Sequence, residues 1–102
     1  MSEQQPFSIG VLEDESSVSV ALSGEFDVVE IDKAITILQQ FEHRDINVDI
    51  TSLTFIDSSG LFVLADAYRS CEQNGCWLKI KGARPDIRRV FEVSGLEYML
   101  AD

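Results

Sequence analysis

The stretch Ile46-Asn47-Val48-Asp49-Ile50-Thr51-Ser52-Leu53-Thr54-Phe55-Ile56-Asp57-Ser58-Ser59-Gly60-Leu61 changes its period partway along. Ile46, Val48 and Ile50 alternate with Asn47 and Asp49, the short β-branched pattern of a strand with one face on a core. From Asp57 onward the spacing is helical: Leu61, Leu64, Ala65, Tyr68 and Cys71 form one stripe, and Asn74-Gly75 marks its stop. A strand, a polar corner and a helix make half of a crossover unit, so the flanking elements decide the class.

Upstream, Phe7, Ile9 and Val11 alternate with Ser8, Gly10 and Leu12, and Val18, Val20 and Leu22 alternate again before Gly24. The polar turn Glu13-Asp14-Glu15-Ser16 between them predicts an antiparallel hairpin. Ile31, Ala34, Ile35 and Leu38 then follow helical spacing, with Glu30, Lys33, Gln39 and Gln40 turned outward. Asp27 followed by Glu30 resembles a capping box at the entry to that helix. Downstream, residues 77–81 read as a fourth strand, and Pro85 suits the first turn of a third helix. Ile87, Val90 and Phe91 supply its apolar face up to Ser94-Gly95, and residues 98–100 are a candidate final strand. The predicted fold is α/β: a mixed β-sheet of order ββαβαβα with a candidate last β. Its core strands are parallel and joined by crossover helices, and the opening hairpin adds an antiparallel edge.

The chain has 102 residues, which predicts one domain over 1–102, with residues 1–6 expected to be flexible. Hydrophobic residues at 45% and charged residues at 25% are those of a globular protein. A net charge of −10 disfavours direct binding to nucleic acid or to an anionic membrane. No apolar run approaches the ~20 residues of a membrane span. The first residues have neither the basic start nor the apolar core of a signal peptide, so the expected location is cytoplasmic.

The Asp57-Ser58-Ser59-Gly60 corner puts two hydroxyls where free backbone N–H groups and the helix dipole favour negative charge. Plain N-capping by Asp57 or Ser58 explains one such residue. Three in a row before Gly60 exceed what a cap needs, so a modifiable serine stays open beside the cap. An enzyme is not expected. The single histidine, His43, sits in a polar helix end, and no nucleophile elbow, phosphate loop or dinucleotide fingerprint is present. No metal set and no cofactor motif is found. Cys71 and Cys76 read either as two small buried hydrophobes or as a candidate redox pair, the latter requiring Cα atoms within about 7 Å. Lys79, Lys81, Arg84, Arg88 and Arg89, five of the eight basic residues, form either a contact patch or a local charge balance.

Four blocks together resemble the STAS domain family, and within it the bacterial anti-sigma factor antagonists. They are Leu22-Ser23-Gly24-Glu25-Phe26-Asp27, Phe55-Ile56-Asp57-Ser58-Ser59-Gly60-Leu61, Gly82-Ala83-Arg84-Pro85 and Val90-Phe91-Glu92-Val93-Ser94-Gly95-Leu96. The resemblance runs from about Phe7 to Leu100 and implies partner switching without catalysis. It implies that Ser58 is phosphorylated by an anti-sigma factor kinase, that the unphosphorylated chain binds that kinase, and that a serine phosphatase resets it. It places Asp27, Asp57, Ser58, Ser59, Gly60, Leu61 and Phe62 at the partner surface. Other STAS domains are subunits of transport or signalling complexes, and a redox- or ligand-sensing module is a further alternative. Phe62 departs from the family, which usually has a small residue there. The family's closing C-terminal helix is not evident before Asp102, which makes a homodimer a candidate assembly.

Overall fold

The computed structural model describes residues 5–102. Along them run β1 (Ser8–Glu13), β2 (Ser17–Phe26), a 3-10 turn (Val28–Glu30), α1 (Ile31–Gln39) and β3 (Asp45–Ile56). Then come α2 (Ser58–Gln73), β4 (Leu78–Lys81), α3 (Pro85–Val93) and a second 3-10 turn (Glu97–Met99). This is the expected ββαβαβα order. The sheet runs β1-β2-β3-β4. β1 and β2 pair antiparallel, and the two later pairings are parallel.

Each parallel step is made through a helix. Right-handed crossovers that move in one direction across a sheet leave their helices on one face. The burial pattern agrees. Val18, Val20, Leu22, Ile46, Val48, Ile50, Leu78 and Ile80 are buried, whereas the intervening Ser19, Ala21, Asp49, Lys79 and Lys81 are exposed. One face of the sheet therefore carries the core and the other meets water. That is why these parallel strands alternate instead of reading as unbroken apolar runs. From the helices, Ala34, Leu38, Leu61, Leu64, Cys71, Ile87 and Phe91 complete the same core. Among the described residues no helix is long and apolar enough to cross a membrane.

Two strands extend further than expected. β3 continues past Ile50 to Ile56, and β2 continues through Gly24 to Phe26. The register explains both. Between Ala21↔Asp49 and Ser23↔Ser52, and again between Gly24↔Leu53 and Glu25↔Phe55, β3 carries one residue more than β2. Each bulge reverses which side chains face inward, so the buried series on β3 is Ile46, Val48, Ile50, then Leu53, then Ile56. Gly24 sits at φ 81°, and a Cβ there would lie 2.1 Å from the Pro6 carbonyl oxygen. Only glycine lets the preceding chain cross so close. Of the residues 1–6 expected to be flexible, 1–4 lie outside the described residues. Gln5 accepts a hydrogen bond from the Glu25 N–H at 3.2 Å.

The candidate last strand does not form. Tyr98 and Met99 lie in the second 3-10 turn, and Leu100 makes a single parallel bridge to Ile80. The Leu96 N–H is still held by the Phe91 carbonyl, and Met99 is buried. The segment therefore stays curled to seat Met99, and only its end reaches β4, where the Ala101 N–H donates to the Ile80 carbonyl at 2.8 Å.

Candidate functional site

β2 and β3 end side by side, with Phe26 opposite Ile56, and each is succeeded by an aspartate. Both aspartates are in extended conformation, and each caps the helical segment after it. The Asp27 Oδ1 accepts the Val29 N–H at 3.0 Å, and the Asp57 Oδ1 accepts the Gly60 N–H at 3.0 Å. Glu30 does not close a capping box; its carboxylate lies 3.6 Å from the Lys33 ammonium instead. Asp57 does more than cap. Its Oδ2 accepts the Val28 N–H at 3.1 Å, and its own N–H donates to the Phe26 carbonyl at 3.2 Å. One side chain thus ties the start of α2 to the loop leading into α1.

Ser58 is the first residue of α2 and is exposed; Ser59 beside it is half-buried. Gly60 and Leu61, expected at the partner surface, are buried in the first turn of α2. A Cβ on Gly60 would lie 2.9 Å from the Phe26 carbonyl oxygen and 3.0 Å from its ring. Phe62, one turn after Ser58 on the same side of the helix, is 62% exposed. Across the Asp57 bridge, Val28 and Val29 are 59% and 81% exposed. Exposed apolar side chains therefore stand on both segments that Asp57 joins, one of which begins with the exposed Ser58, and the carboxylates of Asp27 and Asp57 are already engaged by backbone N–H groups. Val28 and Val29 had no signal of their own in the sequence, where they read as the entry to a helix. Only the 3-10 turn capped by Asp27 turns both outward.

Asp57→Ala removes the α2 cap and the partner of the Val28 N–H together. We expect a loss of about 1–2 kcal/mol in urea unfolding, since caps are worth roughly that and Val28 can turn to water. Asp57→Asn, which keeps one carbonyl acceptor, should lose about half as much.

The other candidates lie elsewhere. Cys71 and Cys76 are free thiols. The Cys76 N–H donates to the Cys71 carbonyl at 2.8 Å, closing the end of α2. Cys71 is 0% exposed. Burial pushes its thiol up to about 11, helped by Cys76, Glu42 and Asp45. At neutral pH it is a thiol, not the thiolate that disulfide exchange uses. In the unfolded chain a cysteine ionises near pH ~8.5. Below that value both states hold the proton; from there to about pH 11 only the unfolded chain loses it, so stability falls as pH rises. Iodoacetamide at pH 7.5 should modify Cys76 and leave Cys71 intact until the chain is unfolded, as read by peptide mass mapping.

Three of the five clustered basic residues make contacts within the chain. The Lys79 ammonium lies 4.4 Å from the Trp77 ring centre. The Arg84 Nε donates to the Thr51 carbonyl at 3.1 Å, and Arg88 donates to the Asp102 carbonyl at 2.6 Å.

Known proteins share this outline. Among curated proteins, the anti-sigma-B factor antagonist of Staphylococcus aureus is 32% identical over 84 residues, spanning 79% of this chain and 78% of its own. Among solved structures, an anti-sigma factor antagonist from Mycobacterium paratuberculosis has a TM-score of 0.83 at 20% identity, covering 99% of this chain and 88% of that one. The anti-sigma factor antagonist SpoIIAA in its unphosphorylated form has a TM-score of 0.79 at 24% identity, covering 95% and 87%. These two share the fold of this chain. A family model described as "Mlab, STAS domain" matches residues 9–101. With that match running from β1 to the bridge after α3, and a curated relative aligned over most of the same span, the chain belongs to the STAS domain family.

Proposed function

We propose that this chain is a cytoplasmic anti-sigma factor antagonist, without catalytic activity of its own, switched by phosphorylation of Ser58. The unphosphorylated form binds an anti-sigma factor kinase through the surface around Asp27, Asp57, Ser58, Ser59 and Phe62, with Gly60 and Leu61 holding that surface in place. The kinase modifies Ser58, the complex separates, and a serine phosphatase restores the binding form. One observation carries the reading: an exposed serine opens α2 at a corner where Asp57 ties α2 to the loop before α1, and the two tied segments also expose Phe62, Val28 and Val29.

The physical chemistry of that position suits a switch. A phosphoserine adds roughly −1.5 to −2 charges. At a helix N-terminus such charge is stabilising by about 0.3–1 kcal/mol, so the fold survives modification. The cost falls on the complex. Apolar neighbours pressed against a partner exclude water, and the new dianion beside the Asp57 carboxylate would be stripped of hydration. Asp57 cannot turn away, because both its oxygens hold N–H groups.

The direct test is to incubate the chain with the purified anti-sigma factor kinase of the same organism and ATP, and to map the product by mass spectrometry. Phosphate on Ser58, and none on the Ser58→Ala variant, is the expected result. Phosphate elsewhere, or none with an active kinase, would overturn the assignment.

A further inference from the structure

We infer that the groove between α1 and α2 is an anchor pocket for the same partner, taking one apolar side chain of the kinase flanked by a lysine or arginine. The inference rests on the partner reading above. α1 and α2 are both crossovers between parallel strands, so they run side by side in the same direction from the Ser58 end of the sheet. Between them lies a groove of about 160 Å³. Ile35, Leu38, Val63 and Ala67 contribute its apolar lining, and Glu42 and Asp66 stand among its polar residues.

Size and charge name the occupant. Pockets for metabolites and drug-sized ligands run to about 300–1,000 Å³. A cavity of about 150 Å³ accepts a benzene ring, which is the scale of one leucine or phenylalanine side chain. The carboxylates ask for a cation beside it. Asp66 pairs with Arg69 at 3.1 Å, but the two side chains are 75% and 66% exposed, and such a pair is worth little. Asp66 is therefore free to exchange Arg69 for a partner's cation. On a chain of net charge −10, a basic partner segment is also favoured at long range.

The groove is continuous with the serine surface. Ser58, Phe62 and Asp66 are exposed and succeed one another at i, i+4 spacing along α2, leading from the switch to the pocket. Asp66 lies about 12 Å along the helix axis from Ser58. That exceeds the Debye length of about 10 Å at 0.1 M salt. The groove should therefore add affinity that does not depend on the state of Ser58.

The test measures affinity for the purified anti-sigma factor kinase by titration calorimetry, with thermal melts as the folding control. Ala67→Phe fills the groove from within, and Asp66→Lys reverses one carboxylate on an exposed site that folding does not use. We expect Ala67→Phe to weaken binding at least tenfold and Asp66→Lys at least threefold. Each factor should be the same in the wild-type and Ser58→Asp backgrounds. Affinities within twofold of wild type for both folded variants would overturn the inference. A dimer seen by sedimentation that Ala67→Phe abolishes, with kinase affinity unchanged, would overturn it too by naming a second copy as the occupant. Weakening by Ala67→Phe without any effect of Ser58→Asp would leave the groove standing and remove the switch. No binding to any form would remove both.

Discussion

Ser58→Asp is expected to weaken binding to the anti-sigma factor kinase by about 30-fold, roughly 2 kcal/mol, while the fold stays intact. Like charges brought together in a dehydrated interface cost up to several kcal/mol. A single aspartate carries about half the charge of a phosphate, so the modified serine should cost more than the substitution. Ser58 is exposed and comes directly after Asp57, whose carboxylate is already taken by the N–H groups of Gly60 and Val28. An added carboxylate therefore has no N–H left from that pair to satisfy it. Ser58→Ala should bind within a few-fold of wild type and resist phosphorylation. The melting temperature of Ser58→Asp should match or slightly exceed that of wild type, because negative charge at an N-terminus favours the helix. Equal affinity for both variants, with equal melts, would remove the switch.

Gly60→Ala is the second large effect, and its sign separates two physical arguments. By helix propensity alone, alanine for glycine inside a helix gains about 1 kcal/mol. The position says otherwise. A Cβ there would lie 2.9 Å from the Phe26 carbonyl and 3.0 Å from two carbons of its ring. Neither neighbour can give easily. The carbonyl belongs to β2 and receives the Asp57 N–H, and the ring is fully buried and stacked on Phe7 with centroids 4.7 Å apart. Overpacking of this kind costs about 1–3 kcal/mol, and contact with a backbone carbonyl and a buried ring at once puts this site in the upper part of that range. The expected net result is a loss of about 1–2 kcal/mol, a fall in melting temperature of roughly 4–16 °C for a domain this size. Gly60→Val should lose more. A melt at or above wild type for Gly60→Ala would show that β2 and α2 can move apart. Because Phe26 leads into Asp27, the same strain should also weaken kinase binding.

Much of this molecule was legible from residue order. The hairpin, the crossover helices and the polar corner at Asp57 all announce themselves through local periodicity, because each element must present an apolar face at its own spacing. The resemblance of four blocks then singled out Ser58, which residue chemistry alone had left beside a plain cap. The length of β3 was not legible. A bulge is a relation between two strands, so the switch from Ile50 to Leu53 to Ile56 as inward residues breaks any single-strand pattern. The end of the chain failed for a similar reason: Tyr98-Met99-Leu100 has strand-like composition, but the burial of Met99 bends it into a turn.

By itself, then, the sequence determined the class of fold, the acidic character of the surface, and the one corner where a serine meets a helix start. These rest on composition and on neighbours close in the chain. Tertiary structure alone decided what that corner is made of. Asp57 reaches across 29 positions to the Val28 N–H, Gly60 is held to its size by Phe26, and Val28, Val29 and Phe62 are left bare on the two segments that Asp57 joins. Exposure and long-range hydrogen bonding belong to the packed chain, because only packing determines which apolar residues have run out of core to enter.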